Sequence, residues 1–338
     1  MIVKKLNNKL INRFLKLEEL SYEESINTLK TIIALIEYAE KNIKLVIKNW
    51  YNMFGKNGIV TGKDLFRELN KDELKKFRKI LSQYIEECAK YDLEKRHVEE
   101  LKSNMKCRSI VIFFMLKILI KHILYIAYVQ IYNQLNSMVQ NVYSNSFYRT
   151  IYEVQNYTGK YFNIDKISEK TLSNLVYVEW GINDKHSTTN RLKRLKNRQI
   201  NDVISNIALY VEIGRQIDDV LFKISKIMKE YKNSLSRLTR TEQAFYNSLA
   251  QYRAYKLLDI EKYQIVAVID ERTSYICKGL NGKSFLTKDY EVSVTAPPFH
   301  PNCRSTTRPC IEEIKLSREN IPNSINYSTW KKKYIKEI

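Results

Sequence analysis

The sequence predicts a mainly α N-terminal region of long helices followed by a small α+β C-terminal domain. Three observations carry this. All five prolines, Pro297, Pro298, Pro301, Pro309 and Pro322, fall after position 296, so nothing earlier removes a backbone donor from a helix. Apolar residues recur three and four apart through the first two thirds, the spacing that lines one helical face. After Arg240 the pattern shifts to the short β-branched run Ile265 to Asp270 and to the turn pair Asn281-Gly282, which read as strand and turn.

At 338 residues the chain exceeds a single core, and more than one unit is expected. We divide it into a helical region over 1–236, a small domain over 237–311 and a basic tail over 312–338, the tail polar enough to be partly disordered.

Along the chain, Ser21 with Glu24 and Asn70 with Glu73 carry the capping-box pattern and predict helix starts. Gly55, Gly58 and Gly62 mark a loop. Leu74, Phe77, Leu81 and Tyr84 line one helical face. Residues 109–130 come nearest to a membrane span, but Lys117, Lys121 and His122 interrupt them, and we expect a buried amphipathic helix with a polar stripe and no membrane contact. Leu192, Leu195, Ile200, Ile204, Ile207 and Val211 predict a long helix between Ser187 and Ser236, bent or broken near Gly214. A helix over about 241–259, a strand over 265–270, a hairpin turn at Asn281-Gly282 and a strand near 304–308 complete the reading.

The formal charge is +20, from 57 Lys and Arg against 37 Asp and Glu. A polyanionic partner fits, nucleic acid first, through counterion release. A genome biased towards Lys, Asn, Ile and Tyr codons explains the same charge equally well. The densest basic run, Arg191, Lys193, Arg194, Lys196 and Arg198, is a candidate for sequence-independent DNA contact, as is Lys331 to Lys333. Either run also reads as a solvated face. Five Cys in a chain this long argue against a disulfide framework and for a reducing compartment. The N-terminus lacks the apolar stretch of a secretory signal. No Gly-rich phosphate loop, Gly-x-Ser-x-Gly elbow or His-Glu-x-x-His motif occurs, so nucleotide hydrolysis and serine or zinc peptidase chemistry have no support.

Four pieces then follow in order: Arg240-Thr241-Glu242, Asp270-Glu271-Arg272-Thr273, Leu280-Asn281-Gly282-Lys283-Ser284-Phe285, and Pro297-Pro298-Phe299-His300-Pro301-Asn302-Cys303-Arg304. Together they resemble the Mu F-like domain of phage head morphogenesis proteins, and Trp180-Gly181 and the helix containing Gly214 resemble the region that precedes it. The resemblance covers about residues 140–310. It implies a minor head protein of a tailed bacteriophage, made in the host cytoplasm and carried inside the virion head. Its implied partners are the portal protein, with scaffolding or major capsid protein and packaged DNA as further contacts.

The same residues have plainer readings. Thr239 with Glu242 forms a capping-box pattern, so Arg240 to Glu242 read as a helix start with Arg240 paired to a carboxylate. Asp270 and Arg272 read as an ion pair holding a loop. Cys277, His300 and Cys303 offer zinc-type ligands. Relatives resemble a four-ligand Cys-x-x-Cys with His-x-x-Cys set; Ser274 stands at the first Cys position here, leaving Cys310 or another group as the fourth. Small buried thiols are the alternative, and no cofactor is required. His97, His122 and His186 lie apart and suggest no cluster. An enzyme reading, a metal-dependent nuclease or transferase using Asp270, Arg272 and His300, stands as the alternative, together with a phage-borne effector. The roughly 27 residues after the domain are few for an independent catalytic domain.

Overall fold

In the computed structural model, residues 2–91, 93–181, 185–311 and 325–336 are described. The elements in chain order are α1 (Ile2–Phe54), α2 (Gly62–Leu65), α3 (Lys71–Lys90), α4 (Lys95–Lys106), α5 (Ile112–Thr158), β1 (Ile164–Asp165), α6 (Glu169–Asn174), α7 (Thr188–Glu212), α8 (Ile217–Leu257), β2 (Lys262–Ala267), α9 (Tyr275–Leu280), β3 (Ser284–Leu286), β4 (Ser305–Pro309), α10 (Tyr327–Tyr334) and β5 (Ile335–Lys336). The expected class holds: long helices first, a small sheet near the end.

Compactness groups the chain into two units, one of residues 1–29, 135–188 and 236–338, the other of 30–134 and 189–235. The sequence-based boundary at 236/237 falls where the last of these segments begins. The stretches 1–29 and 135–188, which we had assigned to the helical region, group with the sheet.

The second unit is all helix. Along α1, Ile32, Ile36, Ala39, Ile43, Ile47 and Trp50 are buried at intervals of three and four, and the Trp50 indole donates to the Ile112 carbonyl at 3.2 Å. Asn70 caps α3 as the pattern predicts: its side chain accepts from the backbone N–H groups of Asp72 and Glu73, while Glu73 accepts in return from Asn70 N–H. Leu74, Phe77 and Leu81 on the predicted face are buried. α5 is long and apolar enough to cross a membrane by length and composition; in this unit its side chains Leu116, Ile120 and Leu124 are fully buried. Gly214, at φ +70°, separates α7 from α8, as its left-handed backbone requires.

The first unit holds the sheet, ordered β3-β2-β4 and antiparallel throughout. Its core joins Leu10, Phe14 and Leu17 of α1 and Tyr255 of α8 to Tyr263, Ile265 and Ala267 of β2, with Cys277, Phe299 and Cys303. Gln251 of α8 ties in β4: its Oε1 accepts from Thr307 N–H and hydroxyl at 3.2 and 2.8 Å.

Several expectations change. Ser21 lies inside α1 and Thr239 to Glu242 inside α8; neither begins a helix, because no Gly or Pro interrupts either stretch and a capping pattern alone cannot end one. The strand expected at 265–270 begins and ends three residues earlier, at 262–267. Asn281-Gly282 joins helix α9 to β3 instead of joining two strands; Asn281 keeps φ −56° and only Gly282 is left-handed, at φ +82°. In the tail, residues 312–324 lie outside the described residues, but residues 325–336 are folded. Trp330 is fully buried with Tyr148, Ile151, Ile164 and Ala254, its indole donates to Gln155 at 2.8 Å, and β5 pairs in parallel with β1. An aromatic anchor outweighs the polar composition of that segment.

Candidate functional site

The four sequence pieces form one braced module. At the end of β2 the chain turns through Asp270, whose Oδ1 accepts from Arg272 N–H at 2.9 Å and from the Thr273 hydroxyl at 3.1 Å. Arg304, entering β4, donates to both carboxylate oxygens, at 2.8 and 2.6 Å. This fork-to-carboxylate geometry is the strong form of an ion pair, and it holds the Asp270 carboxyl well below its usual range. The expected partner, Arg272, is present as a longer ion pair at 3.9 Å whose guanidinium side is 80% exposed, so the close, forked partner is Arg304.

Thr241 and Glu242 act from the middle of α8. Thr241 Oγ1 accepts from Asn302 N–H at 3.1 Å, which fixes the left-handed Asn302 (φ +59°) of the loop that follows the cis Pro297-Pro298 bond. Glu242, fully buried, accepts from the Trp180 indole at 3.1 Å and the Thr188 hydroxyl at 2.7 Å. Arg240 is half-buried and its Nε finds no hydrogen-bond partner. Asn281 Oδ1 accepts from Ala267 N–H at 3.0 Å, and Gly282 N–H reaches the Ile265 carbonyl, so this turn is stitched to β2.

Cys277, His300 and Cys303 converge, with all donor atoms within 4.8 Å of one another. The two sulfurs are 3.7 Å apart and Cys277 Sγ is 3.1 Å from His300 Nε2. Tetrahedral zinc with Zn–S of about 2.3 Å sets two sulfurs about 3.8 Å apart. His300 Nδ1 lies 2.8 Å from the Pro301 carbonyl, which selects the tautomer whose Nε2 lone pair faces Cys277. Cys303 is shifted down to about 7, first because it accepts from the Cys277 thiol, which is itself raised. These three residues would therefore hold zinc. Cys310 is not a fourth ligand: it sits at the far end of β4 beside Ser284 Oγ at 3.7 Å. Ser274 caps α9 by accepting from Cys277 N–H. Among the described residues, three side chains converge as ligands.

The basic run divides. On α7, Lys193, Arg194 and Arg198 are exposed and Arg191 is half-buried. Lys196 is withdrawn from it: 5% exposed, it donates to Glu94 at 2.5 Å and lies over the Tyr125 ring at 3.9 Å. Its position, four residues after Leu192, puts it on the buried face. Lys331 to Lys333 are exposed on α10.

Two features were not legible in the sequence. Glu18 of α1 is buried, takes hydrogen bonds from Gln243 and Asn247 of α8, and is pushed up to about 8 by burial; with Arg304 it lines a cavity of about 730 Å³. His97 and His122, which we had read as unrelated, meet at 3.1 Å. Neither relationship leaves a local sequence signal, since each pairs residues from separate helices.

As a class, this is a long-helix protein with a small three-stranded module whose motif residues brace one another. Residues 199–308, from α7 to β4, match the family model of phage Mu protein F like proteins. This part of the chain is thus similar to Mu F-like proteins, a similarity that implies a phage head morphogenesis protein. No curated protein and no solved structure matches the chain.

Proposed function

We propose that the protein is a minor head protein of a tailed bacteriophage that docks to the portal during procapsid assembly and contacts packaged DNA without reading its sequence. The match over residues 199–308 carries this reading. Two surface features in and beside that segment support it. Leu209, Ile213 and Phe222 are large apolar side chains 51 to 76% exposed, which suits a surface covered by a partner. Just before the match on the same helix, Lys193, Arg194 and Arg198 present positive charge suited to phosphates.

Assembly fits the module better than catalysis. Asp270, the acid an enzyme reading needs, is engaged by Arg304, and Arg272 turns outward. The role requires no cofactor; zinc at Cys277, His300 and Cys303 would brace the loop after Pro298. Scaffolding and major capsid proteins are further partners, and the virion head interior is the expected final location, reached from the host cytoplasm.

Co-expression of the tagged chain with the portal protein encoded beside it, followed by size-exclusion chromatography with light scattering at two salt concentrations, tests this. A complex that survives high salt is the expected result. No association at either salt overturns portal docking.

A further inference from the structure

The all-helical unit contains a second thiol and imidazole cluster. Cys88 of α3, His97 of α4 and His122 of α5 are 2%, 1% and 1% exposed, and their donor atoms lie within 4.8 Å of one another. We propose that Cys88, His97 and His122 form a transition-metal site of the zinc class, backed by the carboxylates of Glu87 and Glu100.

The distances suit an ion. His97 Nε2 and His122 Nδ1 stand 3.1 Å apart; two imidazole nitrogens on one tetrahedral zinc, at bonds of about 2.0 Å, are about 3.3 Å apart. The rings are held in place from outside. Tyr84 stacks on His122 with ring centres 3.8 Å apart, and Tyr125 stacks on His97 at 4.2 Å. Behind each imidazole stands a carboxylate: Glu87 is 2.9 Å from His122 Nε2, and Glu100 is 4.0 Å from His97 Nδ1. A carboxylate on the far nitrogen is the usual second contact of a metal-bound histidine, fixing its tautomer and raising its basicity.

The protons explain why an ion fits better than a bare histidine pair. Without metal, His122 donates from Nε2 to Glu87, so its Nδ1 is a lone pair and His97 must donate to it from Nε2. His97 Nδ1 is then also a lone pair, and it is buried without a hydrogen-bond partner while facing the acceptor oxygen of Glu100. With metal, the His97 proton moves to Nδ1, towards Glu100, and both facing nitrogens offer lone pairs to the ion. Cys88 releases its proton to solvent and binds as thiolate. The nearby cations are already engaged, Lys121 by Glu100 and Lys196 by Glu94. A cavity of about 320 Å³ reaches Glu87 and His122 and offers an entry path. The metal holds one bond to each of α3, α4 and α5 and so ties the three helices together.

The test uses the full chain and cobalt(II), whose thiolate charge-transfer band and d–d bands report ligation. The Cys277→Ser, Cys303→Ser double variant removes the other thiol site. It should still bind one cobalt per chain with a thiolate band, the band should vanish when Cys88→Ser is added, and zinc should displace the cobalt. Glu87→Gln should weaken binding about 10- to 100-fold. As a route independent of the double variant, Cys88→Ala in the otherwise native chain should lower the cobalt stoichiometry by one. The proposal is overturned if the double variant, with helical circular dichroism unchanged, binds no cobalt, or if cobalt stoichiometry is unchanged by Cys88→Ala. Portal association is read separately, and the Glu87→Gln chain is expected to retain it, so the two conclusions stand or fall apart.

Discussion

Arg304 grips Asp270 through two N–H···O contacts of 2.8 and 2.6 Å, joining the turn after β2 to the start of β4. Because the pair lowers the Asp270 carboxyl below its ordinary value of 3.8, the stability it contributes is present above about pH 4 and is lost as pH falls further. Asp270→Asn should flatten the acid limb of a melting-temperature profile, and Arg304→Lys, which loses the fork, should lower the midpoint at neutral pH. An unchanged acid limb in Asp270→Asn would sink this account.

Glu18 has the opposite sign. Its carboxyl is raised from 4.5 to about 8, so the folded state holds the proton more tightly than the unfolded chain. Stability is greatest below about pH 4.5, declines as pH rises towards 8 by at most about 1.4 kcal/mol per pH unit, and then levels off. Glu18→Gln removes the ionisable group and should leave a flatter profile between those limits in denaturant unfolding. A decline as steep as that of the native chain would refute it.

Trp330 anchors the C-terminal segment through burial and through its indole bond to Gln155. Trp330→Ala should cost about 3–5 kcal/mol, the usual range for emptying a large aromatic site. Changing Lys331, Lys332 and Lys333 to Gln should stay within about 0.5 kcal/mol at each site. Urea titration of both variants separates an anchored segment from a dangling tail.

Gly282 sits at φ +82° with open space where a Cβ would stand. Gly282→Ala should therefore cost only backbone strain, about 1–2 kcal/mol, with no change in sheet structure. A neutral result would mean that the turn relaxes out of the left-handed region.

For DNA, Lys193, Arg194 and Arg198 should each contribute to a salt-dependent affinity. Replacing one with Gln should reduce the slope of log K against log salt by about 0.9. Lys196→Gln should leave that slope unchanged and lower stability instead, because it leaves Glu94 without its partner. Fluorescence anisotropy on a duplex of random sequence gives the slopes.

The sequence by itself determined the element types and much of their order. Prolines confined to the end left long helices free to form. Asn70 and Glu73 capped α3 as their spacing requires, Gly214 broke α7 from α8, and Leu74, Phe77 and Leu81 went to the core. These are local effects, set by backbone donors, left-handed turns and the 3.6-residue period. Tertiary structure decided which side chains meet. It gave Asp270 its close partner in Arg304, leaving the nearby Arg272 at 3.9 Å, turned Lys196 inward to Glu94, separated Cys310 from Cys277, His300 and Cys303, buried Trp330 of a polar segment, and brought His97 to His122. The reason is that a helical period fixes which face a residue occupies but not which other helix covers that face. Charge pairing, ligand convergence and desolvation depend on the second fact, which arises only when distant segments pack.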